Sequence, residues 1–255
     1  MTSLNSSVAT DMLEEPKAMW IVRALGLIRR QPLASAGAFV VLVMIVATIF
    51  ADVLSPYDPE AADFMNMLSP PNAQYWLGTD MFGRDILTRI IYGARTALFV
   101  GFTAAFVGAT AGLILGVASA YFGGLFDLIF QRIVDVIMAF PLIVLALAVV
   151  ATLGTGTENV IIAITIPFIP QCARVVRSSA LAIREIPYVD AARALGFSHT
   201  RIIMRHMVPN VMAPYLIMLT TFVGQAILLE ASPVSYTHLR AHETEADLVC
   251  RLLLE

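Results

Sequence analysis

Residues Thr96 to Phe122 read TALFVGFTAAFVGATAGLILGVASAYF, a run of 27 residues with no charged side chain. Crossing the hydrocarbon core of a bilayer takes about 20 apolar residues at about 1.5 Å each, so this run is long enough to span. Its glycines fall at Gly101, Gly108, Gly112 and Gly116, and the last three form a small-xxx-small column along which a second helix backbone can approach closely. The run ends at Gly123-Gly124.

Four further apolar runs flank it. Leu33 to Ala51 precedes it and stops before Asp52 and the turn-forming Ser55-Pro56-Tyr57-Asp58-Pro59. Ile133 to Leu153 follows, interrupted by Asp135 and Pro141, and ends at Gly154-Thr155-Gly156. Val160 to Ala173 is expected to be broken, because Pro167 and Pro170 lie inside it. Val211 to Leu229 is the last. The fold class expected is therefore an all-α membrane protein, a polytopic helical bundle with five spans. The whole composition agrees: 58% of residues are hydrophobic and only 14% charged, against about 25% in soluble domains. The net charge of -3, with a single lysine at Lys17, excludes the basic face that a nucleic-acid partner needs. Cys172 and Cys250 stand far apart in unlike contexts and imply neither a disulfide framework nor a metal cluster. His238, His242 and Glu243 share helical spacing but are not taken as a metal site.

Basic residues set the orientation. Lys17, Arg23, Arg29, Arg30, Arg132 and the six arginines from Arg174 to Arg205 fall on one side of the spans, eleven in all, whereas only Arg84, Arg89 and Arg95 fall on the other. The positive-inside rule then places the N-terminus and the segment from Arg174 to Met207 in the cytoplasm. Met1 to Glu15 is polar and acidic, unlike a signal peptide, and reads as a retained cytoplasmic arm. Trp20, Ile21, Leu25 and Ile28 recur at helical spacing with Arg23 and Arg30, which suits an interfacial amphipathic helix or a simple basic anchor. The expected plan is an arm and interfacial helix over 1–32, a first span and external segment over 33–95, a helical core over 96–232 with a cytoplasmic loop at about 174–209, and a distinct tail over 233–255.

The segment between the last two spans reads Ile186-Pro187-Tyr188-Val189-Asp190-Ala191-Ala192-Arg193-Ala194-Leu195-Gly196, then continues through Arg205 to His206-Met207-Val208-Pro209-Asn210. Pro187 suits helix entry, Asp190 supplies an acid to the first turns, and Gly196 can end the helix. A short helix with a small-residue face results, of the kind that slots into a groove on another protein. These residues resemble the EAA loop of bacterial ABC importer permeases, with Asp190 in the place of the usual Glu and Gly196 and Pro209 at the expected distances. A second match narrows the family. Trp76-Leu77-Gly78-Thr79-Asp80-Met81-Phe82-Gly83-Arg84-Asp85, followed by Tyr92-Gly93-Ala94-Arg95-Thr96, is similar to the external signature of the C-type permease of dipeptide, oligopeptide and nickel importers. Val134-Asp135-Val136, Ala139-Phe140-Pro141 and Ile227 to Ser232 match the same subfamily.

The resemblance implies a permease of the type I importer kind in the bacterial cytoplasmic (inner) membrane, a multi-pass chain that forms the translocation path for peptides, with nickel or another small solute as the alternative. It implies coupling to separate ATPase subunits through Asp190, Ala191, Ala192, Gly196 and Pro209, and pairing with a second permease subunit and an extracytoplasmic substrate-binding protein. ATP and Mg would be bound by the partner ATPase and no cofactor by this chain; a P-loop needs Gly-Lys before Ser or Thr, and Lys17 stands between Pro16 and Ala18. A secondary transporter would need coupling-ion residues at mid-membrane and an internal repeat, and a scaffold would leave the acid-Ala-Ala helix unexplained.

Individual residues leave alternatives open. Gly78 and Gly83 allow tight turns; Asp80, Arg84 and Asp85 can pair locally, Arg84 and Asp85 as a structural ion pair or in contact with substrate or binding protein. Asp135 is expected to pair with Arg132 at the interface. Glu230 lines the translocation path or sits at the outer interface, and Pro141 and Pro167 mark bent helices of the kind that surround such paths. After Ser232 the resemblance stops, where related permeases continue into a sixth span. Residues from Pro233 resemble translated adapter sequence and are expected to be non-native, the sixth span missing.

The orientation is directly testable. A cysteine at Ser198 should react only with reagents that reach the cytoplasm, and one at Asn72 only from outside. The opposite labelling pattern would reverse the topology.

Overall fold

In the computed structural model residues 31–55, 57–154 and 156–230 are described. The interfacial helix expected before residue 31 and the tail expected from residue 233 lie outside the described residues. The described part is helical, and within it β-type pairing is confined to one isolated bridge between Thr79 and Asp85. The main elements are α1 (Pro32–Ile49), α2 (Ile86–Phe122), α3 (Gly124–Met138), α4 (Leu142–Leu153), α5 (Thr157–Arg184), α6 (Pro187–Ala194) and α7 (His199–Glu230). Four of these, α1, α2, α5 and α7, are long and apolar enough to cross a membrane, and α3 with α4 makes a fifth if the bent pair is one span. The chain divides into two compact units after Arg95, inside α2.

In the first unit, α1 begins at Pro32, where the missing amide hydrogen is not needed, and continues past Phe50 into a single turn, Ala51–Leu54. Thr48 is its one buried residue, while Phe39, Leu42 and Ile49 are exposed, as suits a helix whose solvent is hydrocarbon. An irregular segment with a 3₁₀ turn at Phe64–Asn66 leads to α2.

The second unit is built on the contact of α2 with α5. A side-chain carbon at Gly108 would stand 2.8 Å from Phe168 Cβ, one at Gly112 2.6 Å from Cys172 Cβ and 2.8 Å from Ile169 O, and one at Gly116 2.6 Å from Ala173 O. The glycine column therefore serves as the sequence suggests, and its partner is α5. Without a hydrophobic driving force between helices in lipid, such close backbone approach maximises dispersion contacts. Cys172 Sγ bonds to Ala109 O at 3.3 Å across the same seam. α7 closes the other side: Phe168 stacks on Phe222 with ring centroids 4.1 Å apart, and the Tyr215 and Thr110 hydroxyls lie 3.1 Å apart.

Two expectations are corrected. Pro167 and Pro170 do not break their span; α5 runs unbroken from Thr157 to Arg184 with both prolines inside and buried. A proline removes one helix hydrogen bond, yet here Phe168 between them is clamped by Gly108 and Phe222, and packing on both sides holds the axis. The third span does break, and sharply. It starts earlier than Ile133, at Gly124, and α3 and α4 meet at 86° across Ala139-Phe140-Pro141. Proline drives the residue before it out of helical dihedrals, and α4 restarts with Pro141 as its N-cap.

Gly112→Leu should separate α2 from α5 and cost about 1–3 kcal/mol of stability, lowering the midpoint of thermal unfolding in detergent. Gly224→Ala, where an added carbon meets nothing within 4 Å, should leave that midpoint unchanged or raise it.

Candidate functional site

α6 is a two-turn helix whose ends are both fixed by local chemistry. Ile186 enters in extended backbone, Pro187 stands in the first turn, and Asp190 pairs with Arg193 one turn on at 3.1 Å. At the far end Gly196 adopts φ +74°; its amide donates to Arg193 O at 2.9 Å and the Phe197 amide to Ala192 O at 3.1 Å. That pair of bonds is a Schellman closure, which only a residue tolerant of left-handed backbone completes without strain.

The faces of α6 differ. Val189 and Ala192 are buried among the unit's own core residues. Asp190, Ala191, Ala194 and Leu195 point away, with Leu195 74% exposed. Thus Ala192, grouped with the docking residues from sequence, packs inward, while Leu195, which drew no attention, is the most exposed large apolar side chain of the segment. Its signal was the helical period itself, since Ala191 and Leu195 are four apart.

Behind α6 lies an aromatic and amide mount. The Tyr188 hydroxyl donates to His206 O at 3.3 Å, and Asn210 Nδ2 donates to His206 O at 2.7 Å and to the Tyr188 oxygen at 3.1 Å. The His206 ring packs between those of Tyr188 and Phe197, its Nε2 buried without a hydrogen-bond partner among the described residues, and Arg201 lies 4.2 Å over the Phe197 ring. Exposed Pro209 sits at the start of a 3₁₀ turn, Val208–Val211, that follows a π turn at Ile203–Met207. Without an amide hydrogen, Pro209 cannot continue regular bonding, and the chain changes pitch there before resuming α geometry.

In the first unit the stretch from Trp76 to Asp85 forms a tight loop. Gly78 (φ +78°) and Gly83 (φ +75°) have left-handed backbone, and any added carbon would collide with the carbonyls of Ser69 and Asp63 respectively. Asp80 is the hub. It accepts from the amides of Phe82 (2.8 Å) and Arg84 (3.0 Å), from Arg84 Nε (3.0 Å) and from the Arg89 guanidinium. Burial alone would raise the Asp80 carboxyl, but the Arg84 and Phe82 amides and the Arg84 guanidinium outweigh it and hold it below 3.8. The expected Arg84–Asp85 pair is not what forms. Arg84 turns to Asp80, and buried Asp85 caps α2, its Oδ2 accepting from the Thr88 amide at 2.9 Å and hydroxyl at 2.6 Å. Ser55 donates to the same Thr88 hydroxyl at 2.7 Å.

The three residues proposed from sequence for the translocation path are not gathered at one point. Pro141 lines a cavity of about 390 Å³ with Gln225 and Leu228; Pro167 lines one of about 40 Å³ with Pro170 and Gln171; Leu142 borders both. Glu230 is half-buried at the end of α7, next to Leu229 of the larger cavity. Asp135 has Arg132 at 3.9 Å but a closer partner in Arg174, at 2.5 Å, which joins α3 to α5. Sequence reasoning missed a second link between the same helices: Arg177 to Asp127, with Ser119 donating to that carboxylate. The spacing of Arg174 and Arg177, one helical turn, was the available clue.

A multi-pass helical membrane protein with an exposed two-turn helix between its last two described spans is thus defined. The chain belongs to the binding-protein-dependent transport system inner membrane component family, whose model matches residues 108–237; the N-terminal transmembrane domain of oligopeptide transport permease C matches residues 20–71. It is 40% identical over 214 residues to the dipeptide transport system permease protein DppC of Alkalihalophilus pseudofirmus, covering 84% of this chain and 70% of that one. It is 41% identical over 205 residues to the glutathione transport system permease protein GsiD of Escherichia coli O6:K15:H31, covering 80% and 68%. The family is a component of ABC transporters in the inner membrane, a transport protein rather than an enzyme.

Because the folded Asp80 carboxyl is held below its unfolded value, the stability it confers is present above about pH 4 and is lost as pH falls through the lower folded value. Asp80→Asn should lower the unfolding midpoint at neutral pH and flatten its acid dependence, as measured by thermal unfolding from pH 7 to pH 3.

Proposed function

We propose that this chain is the permease subunit of an ABC importer for peptides, with α6 as the helix through which ATP-driven closure of a separate ATPase reaches the spans. The observation that carries this reading is the division of α6 into two faces. Val189 and Ala192 fix it to its own unit, and Asp190, Ala191, Ala194 and Leu195 are left for a partner. Small side chains allow close approach, Leu195 supplies an apolar anchor, and Asp190 can meet a donor at the rim. Gly196 and Pro209 shape the entry and exit of this segment rather than touching the ATPase. Peptide substrates are supported by the dipeptide and glutathione permeases to which the chain is similar.

The rest of the assembly follows from that reading. ATP and Mg are held by the partner ATPases, a second permease subunit completes the path, and a substrate-binding protein delivers the peptide. The N-terminus and α6 lie in the cytoplasm, as the eleven-to-three distribution of basic residues supports. The rigid loop around Gly78, Asp80, Gly83, Arg84 and Asp85 then faces outward, where the binding protein docks, and Pro141, Pro167 and Glu230 border the path.

The two faces of α6 give opposite expectations for the same change. In the whole complex, Ala191→Arg should detach the ATPase and lower transport at least about tenfold with the permease folded, since a charge forced unpaired into an interface costs several kcal/mol. Ala192→Arg should instead unfold the α6 segment, seen as new protease cleavage near Gly196. Normal transport with the ATPase still bound in Ala191→Arg would end the coupling assignment.

A further inference from the structure

α6 is continuous in sequence with α5 and α7, yet its neighbourhood also grips the last turn of α2. Three side chains converge there from before, within and after α6. Arg184 Nη1 donates to Ala120 O at 2.9 Å, the Arg193 guanidinium lies 5.2 Å over the Tyr121 ring, and the buried Tyr121 hydroxyl shares a 2.7 Å hydrogen bond with His199 Nδ1. The His199 ring also packs edge-on against Tyr121, with centroids 5.6 Å apart, and lies 6.1 Å from Phe122. The chemistry suits the place. The final carbonyls of a helix lack amide partners and carry the negative end of its dipole, which cationic Arg184 and Arg193 complement.

From this clasp we infer that the C-terminal turn of α2, through Tyr121, is a non-covalent entry point for the motion of α6 into the membrane-spanning part, so that the second span moves with the last two. Tyr121 and His199 are positioning residues: they touch neither nucleotide nor substrate, and they fix α2 to the segment that carries α6. The inference rests on the coupling reading of α6. Covalent continuity already ties α6 to α5 and α7 whatever their side chains; its tie to the last turn of α2 rests on side-chain contacts alone, and removing the Tyr121 hydroxyl takes away its one hydrogen bond to His199. α2 in turn is packed along its glycine column against α5, so Tyr121→Phe leaves the helix in place and weakens its link to the α6 segment by the hydrogen bond to His199 alone.

The test uses the full complex in proteoliposomes, with second permease subunit, ATPases and binding protein, and reads dipeptide transported per ATP hydrolysed. Tyr121→Phe and His199→Ala should each lower that ratio roughly three- to tenfold, the worth of one buried hydrogen bond, with ATPase attachment and basal hydrolysis unchanged. His199→Asn, which keeps a polar atom at the δ position, should restore it to within about twofold. The double variant should be no worse than His199→Ala alone, because that variant already removes the hydrogen bond that Tyr121→Phe removes. An unchanged ratio in Tyr121→Phe overturns the inference, and so does loss of ATPase attachment, which would mean a merely structural role. If Ala191→Arg detaches the ATPase while Tyr121→Phe is silent, the clasp alone is wrong; if Ala191→Arg also leaves the ATPase bound and transport intact, the coupling reading itself has failed.

Discussion

Along the seam between α2 and α5 the two backbones touch, because Gly108, Gly112 and Gly116 offer no side chain and Thr165, Ile169 and Ala173 present their carbonyls to the vacated strip. Everything placed by α5 depends on this contact. Its two buried prolines lie beside it within one continuous helix, and its C-terminal end at Arg184 is separated from the N-cap of α6 only by Glu185, so the position of α6 is inherited from the seam. A lipid environment makes this geometry decisive. Hydrocarbon competes equally for apolar side chains, and what distinguishes a packed pair of helices is contact density and the pairing of polar groups.

Charge pairing finishes what packing begins. Asp127–Arg177 and Asp135–Arg174 lace α3 to α5 across two successive turns. Ionised groups in a spanning element are expensive alone, so each pair contributes register more than net stability, and each explains the other's presence. α3 is thereby tied to α5 while α4 leaves it at 86°, and the cavities on either side of Leu142 lie at that elbow. The loop around Asp80 in the first unit follows the same rule, with its carboxylate collecting amide and guanidinium donors around two glycines that admit no side chain.

Much of this was legible in the residues. Apolar runs marked the four helices long enough to cross a membrane and the bent pair α3–α4 that makes a fifth if it is one span, the glycine column predicted a backbone contact, and acid-Ala-Ala with Gly196 marked α6. What failed did so for one reason: proline chemistry is local, but its outcome is tertiary. Pro167 and Pro170 sit where neighbours on both sides confine the helix, whereas Pro141 follows Ala139-Phe140 at a place with room to turn, and nothing in the one-dimensional pattern separates the two cases. Pairings were legible in part: Asp135–Arg132 and Asp80–Arg84 both form. Arg84 and Asp85 are adjacent, but adjacent residues point apart, so Arg84 reached back one turn to Asp80 and Asp85 capped α2. The nearest partner of Asp135 lies thirty-nine residues away, beyond any spacing rule.

The central claim is that the outward face of α6 is occupied by a partner ATPase in the working importer. Site-specific photo-crosslinking from position 195 tests it most directly, because Leu195 is 74% exposed and its replacement leaves the buried face of α6 untouched. With a photoreactive residue there, irradiation of the intact complex in membranes should join this chain to the ATPase subunit in high yield, and the same residue at Val175 on α5 should not. Crosslinks from position 195 to lipid or to the second permease subunit alone, with the ATPase present and active, would contradict the account.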